Sequence, residues 1–411
     1  MTDATVPSFP YRNVTITGGT GTVAAQLQRA LLRDCTGVER IATTVRDPAA
    51  PRAQRLVASP KLDVFTGGIQ DVAVVRNAIE RGEIVYHLAA WLANTAMPDD
   101  PNVVYLANGL ASAVVCRLCR QLGKTLVYTS SHSVYFAGPY EGRIAEDTFA
   151  FRDDFTDWIE NARHEYYRLA DIALERGGKL EDLASELDAV HEKLPPPFEP
   201  LIYDREEYHI YCLTKLLGER FALDHGGVVL RLANVYGPGD DSTQAVGEAC
   251  ARVTDAAGSE RLTIRQPFKK LVPAYLGDIC ASLVAAASVS LPDGTSPIFT
   301  VASQEDYLKE DELLRTVATA LNNLRGETRA YDIERLEPDE QKAFTYDTTK
   351  LSKVLLPGHE LMPLAKGLEE QLRWLDGGAE ERWSLEAGVS LCSPLPLREG
   401  VGGRGGRYPP P

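Results

Sequence analysis

The sequence lacks an excess of positive charge and any long apolar run. It carries 43 lysines and arginines against 58 aspartates and glutamates, which gives a formal net charge of −15. Proteins that bind nucleic acids usually present a basic surface, so no nucleic-acid partner is expected. No run of about 18 apolar residues occurs, so the sequence predicts no membrane-spanning helix and no membrane partner.

Targeting and disulfide signals are also missing. Residues 1–11 have no basic segment followed by an apolar run, so they do not resemble a secretory signal. The 7 cysteines form no disulfide framework, which favours a reducing compartment, and we expect a cytoplasmic location. Cys116 and Cys119 form a CxxC pair inside an apolar, helix-like run without a second pair. A buried helix face is therefore favoured over a metal site, and no metal is predicted.

Short β-like runs alternate with helical patterns over the first two-thirds of the chain. This order is typical of stacked βαβ units, so the predicted fold class is α/β with a doubly wound parallel sheet. Strands are predicted at Asn13–Thr17, Arg40–Val45, Leu62–Phe65, Ile84–Leu88, Thr125–Thr129 and Val228–Leu232. Helices are predicted at Val23–Arg33, Asp71–Glu80 and Val104–Leu122.

Two regions depart from this alternation. From Asp153 to Leu194, apolar residues recur at spacings of three and four on both sides of Gly177-Gly178, which predicts a helical hairpin. The proline run 195–197 ends it, and its 12 acidic against 5 basic residues indicate a solvated outer face. The last segment, 377–411, is rich in Gly, Pro and Arg without periodicity, which predicts a disordered tail without a function.

A glycine-rich turn follows the first predicted strand and leads into the first predicted helix. It reads Gly18-Gly19-Thr20-Gly21-Thr22-Val23-Ala24. Glycines allow a tight turn and the close approach of a pyrophosphate to backbone amides at a helix start. A glycine cluster alone is weak evidence, since turns are glycine-rich for steric reasons. Its place between a strand and a helix nevertheless predicts a dinucleotide site.

Motifs that occur in order along the chain resemble the extended short-chain dehydrogenase/reductase (NAD-dependent epimerase/dehydratase) family. They are Gly18-x-x-Gly21-x-x-Ala24, His87-Leu88-Ala89-Ala90, Ser130-Ser131-x-x-Val134-Tyr135, Tyr211-x-x-x-Lys215 and Leu230-Arg231-x-x-Asn234-Val235-Tyr236-Gly237-Pro238. The resemblance implies a Rossmann-type sheet, a smaller C-terminal substrate-binding subdomain and an inserted helical hairpin. The predicted divisions are 1–150 for the Rossmann dinucleotide-binding part, 151–205 for the hairpin, 206–240 for the Rossmann part with the Tyr-x-x-x-Lys motif, 241–376 mainly for the subdomain, and 377–411 for the tail.

The resemblance also implies a nicotinamide cofactor. At the end of the second strand, family members carry an acidic residue for NAD or an arginine for the 2′-phosphate of NADP. Val45 stands at the acidic position and Arg46 follows, which favours NADP, while the nearby Asp47 keeps NAD as the alternative. The cofactor-binding residues implied by this matching are Gly18, Thr20, Gly21, Thr22, Val23, Arg46, Ile69, Leu88, Ala89, Ala90, Asn108, Thr129, Tyr211, Lys215, Asn234 and Val235.

The catalytic residues implied by the resemblance are Ser131, Tyr211 and Lys215. Positions i and i+4 of a helix share a face, so the Tyr211 phenol and the Lys215 ammonium project to the same side. A phenol with a pKa of about 10 is a poor base at neutral pH, and a nearby ammonium favours the phenolate. The Ser131 hydroxyl can hydrogen-bond the substrate oxygen and orient it.

Neighbouring residues narrow the reaction. The family's dehydratases carry an Asp-Glu pair after the catalytic hydroxyl residue, whereas His132-Ser133 stands here, so dehydration is disfavoured. His132 is interpreted as an extra acid or base or, with greater weight, as a packed or solvent-facing histidine. Family members that act on sugar nucleotides often have a diphosphate-binding arginine before the strand that leads to a conserved Asp. In this chain that segment contains Lys270 and leads to Asp278. The substrate-binding residues are predicted to be Trp91, Ser131, His132, Ser133, Asn234 and Lys270.

Three functions fit this pattern. The first is an NAD(P)-dependent oxidoreductase or epimerase that moves a hydride at a secondary alcohol or ketone of a nucleotide sugar. The second is an NADPH-dependent carbonyl reductase of a non-nucleotide metabolite. The third is a non-catalytic NADP sensor, which the presence of both Tyr211 and Lys215 disfavours.

The role of the hairpin and the assembly of the chain are left open by the sequence. The hairpin lies between Ser131 and Tyr211, and it could form a lid, a substrate-selecting wall, an oligomer contact or a surface decoration. The resemblance implies a homodimer as one assembly, formed through helices that include the one carrying Tyr211.

Overall fold

Strands rich in buried Val, Ile, Leu and Thr build the centre of the molecule. The structure, a computed structural model, describes residues 9–92, 100, 102–138, 141–191, 206–240, 244–256, 261–265, 270–304, 307–336 and 344–377. Its strands are β1 (Asn13–Thr17), β2 (Arg40–Val45), β3 (Leu62–Thr66), β4 (Ile84–His87), β5 (Thr125–Ser131), β6 (Gly142–Ile144), β7 (Val228–Leu232), β8 (Asn234–Tyr236), β9 (Pro273–Tyr275), β10 (Ile298–Val301) and β11 (Phe344–Tyr346).

Seven of these strands form one parallel sheet in the order β10-β7-β5-β4-β1-β2-β3. The predicted doubly wound parallel sheet is therefore confirmed. The predicted bounds of β1, β2 and β7 agree with the structure, and β3, β4 and β5 differ by one or two residues at their ends. The seventh strand, β10, was not among the predicted strands. Two further pairs, β6 with β11 and β8 with β9, stand apart from the large sheet.

Helices cover both faces of this sheet. They are α1 (Thr22–Asp34), α2 (Val72–Arg81), α3 (Asn102–Val104), α4 (Ala111–Gln121), α5 (Asp153–Arg176), α6 (Ala184–His191), α7 (Glu206–His225), α8 (Ala245–Asp255), α9 (Leu276–Ala286), α10 (Glu310–Arg325) and α11 (Leu364–Asp376). Residues of α1, α8, α9, α10 and α11 belong to one apolar cluster, and those of α2, α4, α5 and α7 belong to another. Because both faces are covered, successive residues of β1, β2 and β5 are buried on both sides of the sheet, threonines and serines included.

The segment from α3 to α4 bears on the expectation that no helix spans a membrane. A π-helical turn, Tyr105–Leu110, joins the two helices into one rod. By length and composition alone, Asn102–Gln121 could cross a membrane, and the sequence analysis did not flag it. However, 78% of its apolar window is buried inside the fold, so packing accounts for its apolar character. Cys116 and Cys119 are both buried on α4, as predicted.

The predicted hairpin is one long helix followed by a broken second arm. Helix α5 ends where Gly177 adopts a left-handed conformation with a φ of 68°, which glycine permits at little cost. The second arm is a 3₁₀ turn, Leu180–Leu183, and the short helix α6, rather than a continuous helix. Leu194 and the proline run lie outside the described residues, as does the predicted tail from residue 378 onward. The predicted domain divisions stay predictions.

Helix α5 crosses over α7 and α4. Its buried face consists of Phe155, Trp158, Ile159, Ala162, Tyr166, Leu169, Ala170 and Ala173. Charged residues fix the crossing on both sides: Arg163 contacts Asp224 of α7 at 3.1 Å, and Arg117 of α4 contacts Asp171 at 3.1 Å. The insertion therefore covers the outer face of the helix pair that flanks the sheet on this side.

A buried ion pair ties α7 to the sheet. Arg231 on β7 donates to both carboxylate oxygens of Glu219 on α7, at 2.9 and 2.7 Å, and both side chains are almost fully buried. Gly218 precedes this glutamate because a Cβ there would lie 2.1 Å from the Tyr128 hydroxyl of β5. Gly218, Glu219 and Arg231 thus serve the docking of α7 against β5 and β7.

We expect Glu219→Gln to lower the free energy of unfolding by about 3 kcal/mol or more, because removing one partner leaves a buried guanidinium without its counter-charge. Denaturant unfolding measures this. The matched control is Asp63→Asn in the exposed pair with Arg40, which should cost less than about 1 kcal/mol. Equal effects of the two substitutions would contradict the importance given to the buried pair.

Candidate active site

The carboxyl ends of the parallel strands meet at one edge, where the chain order reverses. Strand β1 lies between β4 and β2, so the connections that follow β1 and β4 leave to opposite sides. In open α/β sheets such a switch point forms a crevice in which ligands bind. The turn 18–21 and the segment 88–92 lie here, in contact with each other at Gly18 and Ala89.

The glycines of the turn are needed for two different reasons. Gly18 has a φ of 73°, and a Cβ on it would lie 2.9 Å from the Ala89 Cα. A Cβ on Gly19 would lie 2.2 Å from the Thr43 hydroxyl oxygen. Gly21, by contrast, is exposed and would meet only the Gly18 carbonyl. The first two glycines therefore allow close packing, and the third leaves the amino end of α1 open.

Hydrogen bonds fix the turn to the end of β2. The Gly18 N–H donates to the Thr44 hydroxyl and the Gly19 N–H to the Thr44 carbonyl, both at 3.0 Å. From α1, the buried Gln28 amide donates to the Gly19 carbonyl at 2.8 Å. The turn is thus held rigidly next to the last residues of β2, where the sequence places Arg46.

Arg46 is exposed just after β2, and its aliphatic part lies against the Gly67–Gly68 loop. Asp47 is engaged in its own turn, since its carboxylate accepts the Ala49 N–H at 2.8 Å. Ile69, predicted to contact the cofactor, packs half-buried against the apolar cluster on the α2 side. Of the two charged residues that made the cofactor choice ambiguous, Asp47 is therefore bonded within its own turn, while Arg46 is exposed beside Gly68.

Lys215 is almost completely buried on α7. Its ammonium donates to the Thr129 carbonyl of β5 at 2.9 Å and lies 5.8 Å from the centre of the Tyr211 ring. Burial lowers the pKa of Lys215 to about 8, against the raising effect of the Glu219 carboxylate. The side chain is therefore still protonated at neutral pH, beside the phenol that precedes it by one helical turn.

Ser131 is the last residue of β5, and the structure fixes its hydroxyl. The hydroxyl accepts the Ser133 N–H at 3.2 Å and donates to the Ser133 hydroxyl at 3.1 Å, which caps the 3₁₀ turn His132–Ala137. Thr129 lies two residues earlier on β5, so the bond from Lys215 brings the α7 residues to the same strand end. The three predicted catalytic residues are thus carried by two elements that are directly bonded to each other.

A buried polar chain connects β1 to the first turn of α4. The Thr17 hydroxyl bonds His87 at 2.9 Å and accepts the N–H groups of Leu88 and Ala89. The other ring nitrogen of His87 bonds Ser112 at 3.0 Å. Burial, together with the charge of Lys215, lowers the pKa of His87 to about 3 and keeps the ring neutral. This chain fixes the backbone that follows β4.

Asn108, predicted to bind the cofactor, holds the backbone of the segment after β4. Its amide oxygen accepts the Trp91 N–H at 2.7 Å, and its amide nitrogen donates to the Trp91 carbonyl at 3.1 Å. The same nitrogen reaches the Thr214 hydroxyl at 3.4 Å, next to Lys215. Asn108 therefore positions the half-buried Trp91 segment relative to α7.

The insertion packs against the outer side of the π-helical turn Tyr105–Leu110. The His191 ring stacks on Tyr105 with 3.5 Å between ring centres and hydrogen-bonds the Tyr166 hydroxyl at 3.0 Å. Tyr166 lies against Gly109 so closely that a Cβ there would be 2.6 Å from its ring. These contacts give the hairpin a role that the sequence analysis did not consider. The hairpin supports the π-helical turn that carries Asn108.

Three predicted substrate-binding side chains have protein partners. The buried His132 bonds the Tyr346 hydroxyl at 2.8 Å, so we assign it no role in the chemistry. The Asn234 side chain accepts the Val272 N–H at 3.0 Å and thereby joins β8 to the segment before β9. Lys270 lies over the Tyr307 ring at 4.5 Å. Val235, beside Asn234, is half-buried on β8.

Two buried arginines beside the glycine turn escaped the sequence analysis. Arg55 points to the Thr20 carbonyl at 3.4 Å and to the Thr22 hydroxyl at 3.3 Å. Arg29, on the inner side of α1, donates to the Arg55 carbonyl at 2.8 Å. No motif marks either residue, since Arg29 lies in an amphipathic helix and Arg55 ends a short 3₁₀ helix, Pro51–Arg55.

Comparison with known proteins agrees with this geometry. Residues 14–176 match the model of the NAD dependent epimerase/dehydratase family. Over this part, the chain resembles that family. D-erythronate dehydrogenase of Cupriavidus necator is 33% identical over 147 residues, which make up 33% of this chain and 43% of that protein. The chain thus spans less than half the length of this curated relative.

Solved structures show that the fold extends beyond the matched segment. UDP-glucose 4-epimerase from Thermotoga maritima, solved with UDP-glucose, has a TM-score of 0.60 at 17% identity and covers 89% of this chain and 98% of its own. UDP-glucuronic acid 4-epimerase from Bacillus cereus, solved with UDP-glucuronic acid and NAD, has a TM-score of 0.59 at 18% identity and covers 89% and 99%. At this identity the likeness shows the fold alone.

The epimerase/dehydratase match divides the candidate site. The matched segment contains the glycine turn, Ser131 and the polar chain through His87. It ends at residue 176, before Tyr211 and Lys215. The roles of these two residues therefore rest on their geometry and their motif. The family's third turn glycine is Ala24 here, buried on α1.

The buried charge of Lys215 predicts a pH-dependent stability. The pKa of Lys215 is about 8 in the folded chain, below its ordinary value of 10.5. Between these two pH values the unfolded chain therefore binds more protons than the folded chain. The resulting cost to stability is complete below pH 8 and fades as the pH rises toward 10.5. Lys215→Met removes it. We expect the free energy of unfolding of the wild type to rise relative to this variant by about 2 kcal/mol between pH 7 and 9.5.

Denaturant unfolding at both pH values, on wild type and variant, tests this, because titrations of other groups cancel in the difference. Lys61→Met is the control, since the partly exposed Lys61 ammonium bonds a surface carbonyl at 2.8 Å. A difference between wild type and Lys215→Met that stays constant with pH would refute the lowered pKa.

Proposed function

We propose that the protein is an NAD(P)-dependent oxidoreductase or epimerase of the extended short-chain dehydrogenase/reductase type, acting at a secondary alcohol or ketone. The observation that carries this proposal is the buried Lys215, which is bonded to the strand end that bears Ser131 and lies one helical turn from Tyr211. The match of residues 14–176 to the epimerase/dehydratase model supports it. A non-catalytic sensor would not need a buried ammonium at this place.

The residues at the crevice fit a dinucleotide. Gly21 leaves an open surface where a Cβ would protrude, and the first N–H groups of α1 have no acceptor within the helix. Thr20, Thr22 and Val23 complete this surface. Backbone amides at a helix start favour phosphate oxygens. When bound, a nicotinamide dinucleotide supplies the hydride donor or acceptor.

The chain's own residues supply the proton chemistry. Tyr211 donates or accepts the proton of the reacting oxygen, because the Lys215 ammonium beside it favours the phenolate. Ser131 hydrogen-bonds the same oxygen and orients it. The buried carbonyl of Thr129 holds Lys215 at the depth of the strand end. No Asp-Glu pair follows Ser131, so elimination of water is not expected.

NADP is the proposed cofactor in preference to NAD. Arg46 lies at the end of β2, where a 2′-phosphate is received in such folds, and Asp47 is engaged with the Ala49 N–H. The solved neighbours named above include an NAD complex, so NAD is the alternative. Cytoplasmic location and a homodimer are also proposals.

A nucleotide sugar is the first candidate substrate. The two structural neighbours carry UDP-sugars. The part of this chain that corresponds to a substrate subdomain contains a small pocket with room for no more than about one or two water molecules. It is lined by Ala245, Glu248, Ala249, Arg252, Arg265, Leu271, Glu310 and Leu313. Both arginines are paired with glutamates, Arg252 with Glu310 and Arg265 with Glu248, each at 2.6 Å.

A sugar acid or another non-nucleotide metabolite is the second candidate. The relative named D-erythronate dehydrogenase favours it. Lys270, the residue nearest the family's diphosphate-binding arginine, lies over Tyr307 rather than at an open surface, which also favours a substrate without a diphosphate.

A thermal-shift screen separates these candidates. With NADP present, UDP, dTDP, GDP and D-erythronate are each added at the same concentration. A nucleotide-sugar enzyme should be stabilised by at least one nucleoside diphosphate, by up to about 2.7 kcal/mol at 100 times its Kd. Stabilisation by D-erythronate alone would favour the second candidate and would rule against the first.

Tyr211→Phe tests the proposed chemistry. We expect turnover to fall by about 100-fold or more, because the proton of the reacting oxygen loses its donor, while NADPH binding changes little. Hydride transfer is followed by NADPH absorbance, with the ligand found in the screen as substrate, and binding by NADPH fluorescence. Tyr167→Phe, which removes a phenol bonded to Asp224 on the protein surface, is the control. Normal turnover in Tyr211→Phe would refute the mechanism.

A further inference from the structure

The residue after Ser131 is tied to a strand near the end of the described chain. His132 opens the 3₁₀ turn His132–Ala137, and its ring nitrogen Nδ1 shares a hydrogen bond of 2.8 Å with the Tyr346 hydroxyl of β11. Both side chains are buried. The two residues are 214 positions apart, so only the folded chain brings them together. The backbone that follows Ser131 is therefore anchored from outside its own turn.

Aromatic rings enclose this hydrogen bond. The His132 ring packs edge-to-face against the rings of Phe136 and Tyr346, each with 5.9 Å between ring centres. The Tyr135 ring lies 5.5 Å from that of Tyr346, and its hydroxyl bonds Thr300 of β10 at 2.6 Å. A hydrogen bond is stronger in such poorly hydrated surroundings than in water, and a buried group that loses its partner there is destabilising. The fold therefore favours one fixed position of the His132 ring.

Strand β11 is itself held against the segment that follows the turn. It pairs in parallel with β6, so that Tyr346 lies opposite Ile144. The Asp347 N–H donates to the Ile144 carbonyl at 2.7 Å, and the Asp347 carboxylate accepts from Arg143 at 2.8 Å. Because β6 begins only a few residues after the turn ends, β11 fixes the turn both at its start and at its continuation.

The position of the Ser131 hydroxyl depends on the geometry of this turn. The hydroxyl accepts the Ser133 N–H at 3.2 Å and donates to the Ser133 hydroxyl at 3.1 Å, so these bonds lie within the turn. A rotation of the backbone at His132 would break them and move the hydroxyl away from the reacting oxygen. Misplacement of a reacting group by about 1 Å can lower a rate by about 100-fold. The bond between His132 and Tyr346 opposes this rotation.

We propose that Tyr346 is a positioning residue for Ser131, acting through its hydrogen bond to His132. This inference rests on the proposed function, namely on the part of Ser131 in orienting the reacting oxygen. Neither Tyr346 nor His132 needs to touch the substrate, because together they fix the turn that follows the hydroxyl. A strand from the C-terminal part of the chain thereby helps to build a site whose reacting groups come from β5 and α7.

A double-mutant cycle on turnover tests whether Tyr346 acts through Ser131. Wild type, Tyr346→Phe, Ser131→Ala and the double variant are compared with UDP-glucose and with D-erythronate, at a temperature at which all four stay folded. We expect Tyr346→Phe to lower kcat by about tenfold and to change KM and NADPH binding by less than about twofold. In the Ser131→Ala background the same substitution should have no further effect, because the group that it positions is gone.

Tyr11→Phe is the matched control. It also removes a phenol bonded to a hydroxyl of β5, that of Thr125 at 2.8 Å, but Thr125 begins the strand and Ser131 ends it. The control should leave kcat unchanged. A loss of kcat on Tyr346→Phe that is the same with and without the Ser131 hydroxyl would show a merely structural role and would overturn the proposal.

Hydrogen exchange of residues 130–137, followed by mass spectrometry, tests the anchoring of the turn without a substrate. Tyr346→Phe and His132→Leu should speed this exchange by about tenfold, because the turn opens more often. His132→Asn places an amide where ring Nδ1 lies and should keep more of the protection than His132→Leu. Exchange that is unchanged in Tyr346→Phe overturns the proposal. Normal turnover in Ser131→Ala refutes the proposed role of Ser131 and this inference together, whereas additive effects refute the inference alone. If the wild type turns over neither substrate, the exchange decides.

Discussion

The geometry of the candidate site depends on one buried ammonium. Lys215 reaches from α7 to the carbonyl of Thr129, and a charge at this depth is tolerated only where polar atoms receive it. The bond sets the height of α7 against the strand end, and with it the height of Tyr211. The ammonium also acts on residues outside α7. Its charge helps to keep His87 neutral within the polar chain that orders the segment after β4.

The parts of this arrangement that could be predicted from sequence are those with a local cause. Strands β1, β2 and β7 occupy their predicted residues because they are runs rich in β-branched and other strand-favouring residues, which are visible in the sequence. Tyr211 and Lys215 share a helix face by their spacing alone. Asn108 was predicted from its motif to contact the cofactor, yet its side chain holds the backbone of Trp91. The partner lies 17 residues away, and no periodicity encodes it.

The insertion and Arg55 show the same limit at larger scale. The apolar spacing in α5 identified which of its residues are buried, but it could not name the surface that buries them. That surface is formed by α4 and α7, whose charges pair with those of α5 only once all three helices are in place. Arg55 ends a short 3₁₀ helix that no motif marks, and its carbonyl is held by the side chain of Arg29 on α1, more than twenty residues earlier.

Helix α5 also has a consequence for assembly. The resemblance to the extended family implied that the helix carrying Tyr211 meets its counterpart in a second subunit. In this chain the outer sides of α4 and α7 are already occupied, by eight buried side chains of α5 and by ion pairs at its edges. A second copy could reach α7 there only by displacing this helix. The chain thus provides from within itself the packing on this side of α4 and α7.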